Sequence, residues 1–253
     1  MTGAATMNSA ATLGTRILHQ SRYEALAMLR NGEQLVLAIA LPLLALAGLV
    51  FTPVLDGYGI PRIDLATPGV LALCVMSTAF TGQGIATGFD RRYGVLRFLS
   101  TTPLGKPGLI FGKAGAVVVV LMIQLLVIGT TAVLMGWRPD PAGLLLAGAV
   151  LLLGATTFTA LGLLVAGTLR PEATLAVTNL LWILLAAAGG IILPAGYLPD
   201  AVQPFVGVLP SAALGDGLRT ALIDGQLSLV SCLTLLAWGA AASLAAIRWF
   251  KWS

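Results

Sequence analysis

The chain has 253 residues, of which 58% are hydrophobic and only 9% charged, with a mean hydropathy of +0.96. A soluble domain carries about 25% charged residues, so a soluble globule, a disordered chain and a secreted disulfide scaffold are all excluded. What remains is one domain dissolved in lipid. Cys74 and Cys232 both sit in apolar runs and suggest neither a disulfide framework nor a metal cluster.

Residues 1–33 read as a cytoplasmic tail ending in an interfacial helix. No long apolar core occurs near the start, so a cleaved signal peptide is not expected. Over Leu13–Arg30 a helical wheel puts Ile17, Leu18, Ser21, Ala25, Met28 and Leu29 on one face. Arg16, His19, Gln20, Tyr23 and Arg30 fall on the other, which suits a helix lying among anionic headgroups.

Residues 34–253 form the membrane domain. A spanning helix needs about 20 apolar residues to cross a hydrocarbon core of about 30 Å. The runs 34–55, 67–89, 114–137, 142–169, 173–193 and 226–247 qualify, each without Asp, Glu, Lys or Arg. Helices satisfy their own backbone in lipid, and the alternating strands of an outer-membrane barrel are missing. The expectation is therefore an all-α membrane protein with six transmembrane helices.

Two segments between spans are too patterned to be plain connectors. The loop 90–113 combines an acid–base start, an apolar stripe (Val95, Leu96, Phe98, Leu99) and a stop at Pro103. It predicts a short helix from about Arg91 to Ser100. The segment 194–225 holds Pro194, Pro199, Pro204 and Pro210 among apolar pieces. It is too broken for a span and too apolar for a free loop, so a re-entrant pair of short helices in the outer leaflet is expected.

Six spans leave both termini on one side. If that side is cytoplasmic, Arg16, Arg22, Arg30, Arg91, Arg92, Arg97, Lys106, Lys113, Arg170, Arg248 and Lys251 lie inside. Only Arg62, Arg138 and Arg219 lie outside, and this asymmetry sets the orientation.

Chemistry is sparse. His19, the single histidine, has no partners at metal-ligand spacing. The spans contain no ionisable groups of the kind that ion-coupled secondary transporters place near the midplane, nor the carboxylate pairs or nucleophile dyads of an intramembrane enzyme. That absence counts against both classes, which stay open as alternatives. No phosphate loop exists; Gly108-Leu-Ile-Phe-Gly112-Lys113-Ala114 is one residue short, and Lys113 reads as a snorkelling lysine at the start of the third span. Catalytic, cofactor-binding and metal residues are expected to be absent, as is nucleic-acid binding. Gly82, Gly84 and the run 154–162 permit close helix packing. Gln83, Gln124 and Asn179 are the notable polar residues within spans, each either bonding across helices or lining a pathway.

The run Asp90-Arg91-Arg92-Tyr93-Gly94-Val95-Leu96-Arg97-Phe98-Leu99-Ser100-Thr101-Thr102-Pro103-Leu104 closely resembles the permeases of ABC type-2 exporters. The preceding amphipathic helix, the six spans and the outer run from Leu198-Pro199 to Asp216-Gly217-Leu218-Arg219 agree with it. The drug-resistance and polyketide-exporter branch is most alike. Asp90 departs from relatives that begin this element with Glu. The resemblance implies a bacterial inner-membrane permease subunit that carries no ATPase site of its own and binds no cofactor. A second permease chain, the same or related, would complete a pathway for an amphipathic drug, lipid or secondary metabolite. Separate ATP-binding subunits would hold ATP and magnesium. A coupling helix built from Arg91, Arg92, Gly94, Val95, Leu96, Arg97 and Leu99 would dock on them, with Val95, Leu96 and Leu99 as its apolar edge.

Overall fold

The computed structural model describes residues 11–194, 196 and 198–250. The first ten residues of the tail, Lys251 of the basic set expected inside, and Ala195 and Tyr197 of the segment 194–225 lie outside them. Every regular element among the described residues is helical.

Helix α1, Leu13–Arg30, begins where the Thr12 hydroxyl accepts from the Thr15 amide, and ends at Asn31. Helix α2, Gly32–Phe51, carries Pro42 in its interior. Next come α3 (Arg62–Val75), a π-helical segment (Met76–Gly82) and α4 (Gln83–Arg92). These three join end to end as one rod of 31 residues. Helix α5 (Val95–Ser100) follows a tight turn. Then come α6 (Gly105–Leu134) and α7 (Pro141–Thr168), the latter capped by Asp140, whose side chain accepts from the Ala142 amide. Helix α8 spans Pro171–Ala188, and the segment 194–225 holds α9 (Gln203–Gly207) and α10 (Pro210–Asp224). Helix α11 (Leu229–Trp249) starts at a Ser228 cap.

Five stretches among the described residues are long and apolar enough to cross a membrane: Arg62–Arg92, Gly105–Leu134, Pro141–Thr168, Pro171–Ala188 and Leu229–Trp249. Ala38–Phe51, within α2, is a shorter apolar helix. The rod and α7 lie at the centre, with Phe80 of the rod set edge-on to Phe158 of α7 at 6.4 Å. Helices α6, α8 and α11 lie outside them, with Leu126, Leu180, Leu233 and Leu244 exposed. A surface this apolar fits a hydrocarbon solvent.

The connections gather at two opposite ends. At one, α1 and the start of α6 meet α5 and the last residues of α11; Leu104, Leu109 and Phe250 pack there with Leu96. At the other, α10 meets α3, α7 and the irregular residues after α8. The first collects Arg16, Arg91, Lys106 and Lys113; we call it the basic end.

Three expectations change. The third apolar helix starts at Gly105 rather than near residue 114, so much of the loop 90–113 is helix already. The rod runs on to Arg92, so Arg91 and Arg92 belong to its last turn and the short helix starts only at Val95. On α1 the packed face is rotated: Gln20 and Glu24 turn inward with Ser21 and Ala25, whereas Leu18 is 69% exposed. The cause is α6, whose Gly112 lets the α1 backbone approach so closely that an added Cβ would lie 2.6 Å from the Gln20 Cγ.

Candidate functional site

The basic end is assembled around one lysine. Lys113 is wholly buried, not snorkelling. Its Nζ lies 2.8 Å from the Glu24 Oε1 of α1 and 3.0 Å from the Asp90 Oδ2 of α4. Gln20 Nε2 donates to the same Glu24 Oε1 at 2.9 Å. One cation on α6 thereby binds two elements that are far apart in sequence. A buried ion pair adds little net stability over a well-packed apolar core, but removing one partner strands a charge and costs about 3–5 kcal/mol.

Two other basic side chains at this end cap helix C-termini, and Arg16 instead holds the turn between α5 and α6. Arg91 Nη1 donates to the Leu169 carbonyl at 2.8 Å, just past α7. Lys106 Nζ donates to the Ile247 carbonyl of α11 at 2.9 Å, and Arg16 Nη1 to the Pro103 carbonyl. The last carbonyls of a helix lack internal donors, and a cation there also meets the negative end of the helix dipole. Arg92 forms an exposed pair with Glu172 at 3.3 Å.

Gly94 turns the chain from α4 into α5 at φ +77°, a left-handed conformation that costs an L-residue about 1–2 kcal/mol. The turn faces Leu96 into the protein, fully buried against Leu104, Leu109 and Phe250, with Leu99 half-buried beside it. Leu96 is therefore unavailable as a docking anchor, contrary to the expectation that it forms part of an exposed apolar edge. The exposed apolar side chains are Tyr93 (73%), Val95 (38%) and Phe98 (70%), and Tyr93 stacks on Phe89 at 6.2 Å. Phe98 belongs to the apolar stripe but, like Tyr93, falls outside the expected docking set, because every apolar position in a short helix looks alike until its neighbours are known. Arg97 is exposed beside them.

The three polar span residues divide. Gln124 is buried and ties helices together, accepting from Thr78 Oγ1 at 3.0 Å and donating to the Ala38 carbonyl at 2.7 Å. Gln83 is buried and donates to Met28 Sδ at 3.3 Å, while its Oε1 has no partner among the described residues. Asn179 is exposed on the outer face of α8.

At the opposite end, Arg219 of α10 is 6% exposed. Its Nη1 donates to the Gly190 carbonyl at 3.0 Å and to Asp216 Oδ1 at 2.8 Å, and its Nη2 to the Ile191 carbonyl. Burial pushes this guanidinium down from its usual range, and the Asp216 carboxylate opposes the shift.

The family model described as ABC-2 type transporter matches residues 16–223. The chain belongs to this family. The ABC-2 match runs from Arg16 in α1 to Ile223 in α10, so it takes in the Lys113 junction, α5 and the Arg219 clamp alike. A Bacillus subtilis (strain 168) protein named "Putative transport permease YvfS" is 29% identical over 168 residues, 65% of this chain and 67% of its own length. An ABC-2 chain with this composition and helical architecture is a membrane transport permease.

Proposed function

We propose that the chain is the permease subunit of an ATP-driven exporter in a bacterial inner membrane, carrying an amphipathic drug, lipid or secondary metabolite. Helix α2 is its first span, so six spans place both termini, and the basic end, in the cytoplasm. ATP and magnesium are held by separate ATP-binding subunits. A second permease chain completes the pathway, and Asn179 favours this: an amide on a lipid-facing helix gains by pairing with another helix.

The observation that carries the reading is α5. Its apolar side chains Val95 and Phe98, with Tyr93 before them, face outward at the basic end, while Leu96 and Gly94 hold the element in place from behind. An exposed apolar-aromatic patch flanked by Arg97 suits a protein groove better than water. Leu99 and Arg91 support the element; Arg97 orients it by charge.

The test is co-purification with the ATP-binding subunit. Val95→Glu with Phe98→Glu should cut recovery of that subunit by about tenfold or more, while the permease reaches the membrane at parental level. Full recovery by the double variant would remove α5 as the coupling element. Orientation is checked separately in a Cys74→Ala, Cys232→Ala background: an impermeant maleimide added to intact cells should label Asp140→Cys and spare Tyr93→Cys.

A further inference from the structure

Two helix irregularities face one another across a cavity of about 280 Å³. On one side is Pro42, inside α2. Proline has no N–H to give the carbonyl four residues back, which here is Ala38, and Gln124 Nε2 supplies the missing donor at 2.7 Å. On the other side is the π-helical segment of the rod, Met76–Gly82. Such bulges inside α-helices are frequent at functional sites. Gln124 joins the two defects, because its Oε1 also accepts from Thr78. Trp182 of α8 closes the wall, its indole Nε1 donating to Ser77 Oγ at 3.0 Å.

The lining groups of Ser77, Thr78 and Trp182 are thus matched. Thr81 also lines the cavity, and its hydroxyl is buried without a hydrogen-bond partner among the described residues. An unpaired buried hydroxyl costs about 1–3 kcal/mol. The rest of the lining is apolar, and no charged side chain lines it among the described residues. The volume lies just below the usual range of about 300–1,000 Å³ for small-molecule sites, too small for a two-chain phospholipid.

We propose that this cavity binds a neutral amphipath: a compact apolar body carrying one uncharged hydrogen-bonding group that pairs with the Thr81 hydroxyl. The absence of charge in the walls selects against carboxylates and ammonium groups, whose desolvation nothing there offsets. That the occupant is the transported cargo rests on the exporter reading; that the site binds does not.

The test uses Trp182 as reporter. In the full chain, reconstituted in lipid nanodiscs with the other four tryptophans changed to Phe, bromoundecanol, bromoundecanoate and bromoundecane are titrated, bromine quenching the indole on contact. Bromoundecanol should quench Trp182 saturably, about tenfold more tightly than bromoundecanoate. Thr81→Val should weaken the alcohol about fivefold and leave bromoundecane unchanged. Ala45→Phe, which fills the cavity, should abolish saturation. Quenching that is linear and alike for all three probes, with or without the Ala45 change, would mean partition into lipid and would overturn the site. So would equal affinity for the carboxylate, or an unchanged affinity of the alcohol for the Thr81 variant. No ATPase or nucleotide is present in the assay. Loss of binding with ATP-driven transport intact would therefore remove the site alone, whereas binding by a chain that no ATP-binding subunit can drive would remove the exporter reading alone.

Discussion

The basic end and the opposite end of the bundle solve the same problem differently. Both contain backbone carbonyls at or just past helix ends that need donors, and both use cations to supply them. At the basic end the work is spread over Arg16, Arg91 and Lys106, while Lys113 ties α1 to α4 through α6. At the other, Arg219 binds both carbonyls after α8 and its own neighbour Asp216. The basic end is thus a junction between elements distant in sequence, and the opposite end is a clamp within one hairpin. Damage should therefore spread at the first and stay local at the second.

The largest effect is expected at Lys113. Lys113→Met leaves Glu24 and Asp90 facing each other without a cation and should cost about 3–5 kcal/mol, seen as a lower thermal midpoint and as early proteolysis between α1 and α2. Adding Glu24→Gln and Asp90→Asn should restore most of the loss. If the triple variant is no better than Lys113→Met, the ion pairs are not what joins these helices.

Leu96→Ala comes next, at about 2–4 kcal/mol, because a buried leucine is replaced by a cavity. Phe98→Ala beside it should leave stability within about 0.5 kcal/mol and impair only association with the ATP-binding subunit. Equal destabilisation by both would contradict the division of α5 into a buried and an exposed side.

Arg219→Met should cost about 1–3 kcal/mol, less than Lys113 because Asp216 remains partly open to solvent. Hydrogen exchange should rise in α10 and after α8 while α1 and α5 keep their protection. Faster exchange at α1 would show that the clamp is not local.

The smallest effect belongs to Asp56, whose carboxylate accepts from Arg62 at 2.6 Å in the open. That hydrogen bond holds the Asp56 carboxyl below its ordinary range. Its contribution is present above the unfolded carboxylate value and is lost as pH falls through the lowered one. Asp56→Asn should remove this slight acid sensitivity and otherwise leave the thermal midpoint unmoved, as exposed pairs contribute little.

The apolar runs located the long helices because a lipid solvent demands length and apolarity over whole stretches, and α1 emerged with its ends at Leu13 and Arg30. The faces were harder to read. Leu18 and Gln20 traded places because the partner of α1 is α6, with Gly112 and Lys113 on it, and no wheel of α1 alone contains that partner. Leu96, Phe98 and Leu99 are equally apolar, so the one that turns inward is decided by Leu104, Leu109 and Phe250, the last more than 150 residues away along the chain. Gln124 shows the intermediate case. Pro42 announces from sequence that the Ala38 carbonyl is orphaned, but which side chain reaches it depends on how α2 and α6 are laid together. The π-helical segment left no mark in composition at all.

The two-residue link at Tyr93 and Gly94 has a mechanical consequence. With so short a joint, and with Leu96 seated in its pocket, α5 cannot swing freely against α4. Displacement of α5 is passed to a rod that extends about 46 Å at roughly 1.5 Å per residue, the full depth of the bilayer core and beyond. A lever bends where it is weakest, and the π-helical turns of Met76–Gly82 interrupt the regular bonding partway along. A tilt applied at one surface of the membrane is thus concentrated in the wall of the cavity at its middle, where flexing changes the room available to whatever lies inside.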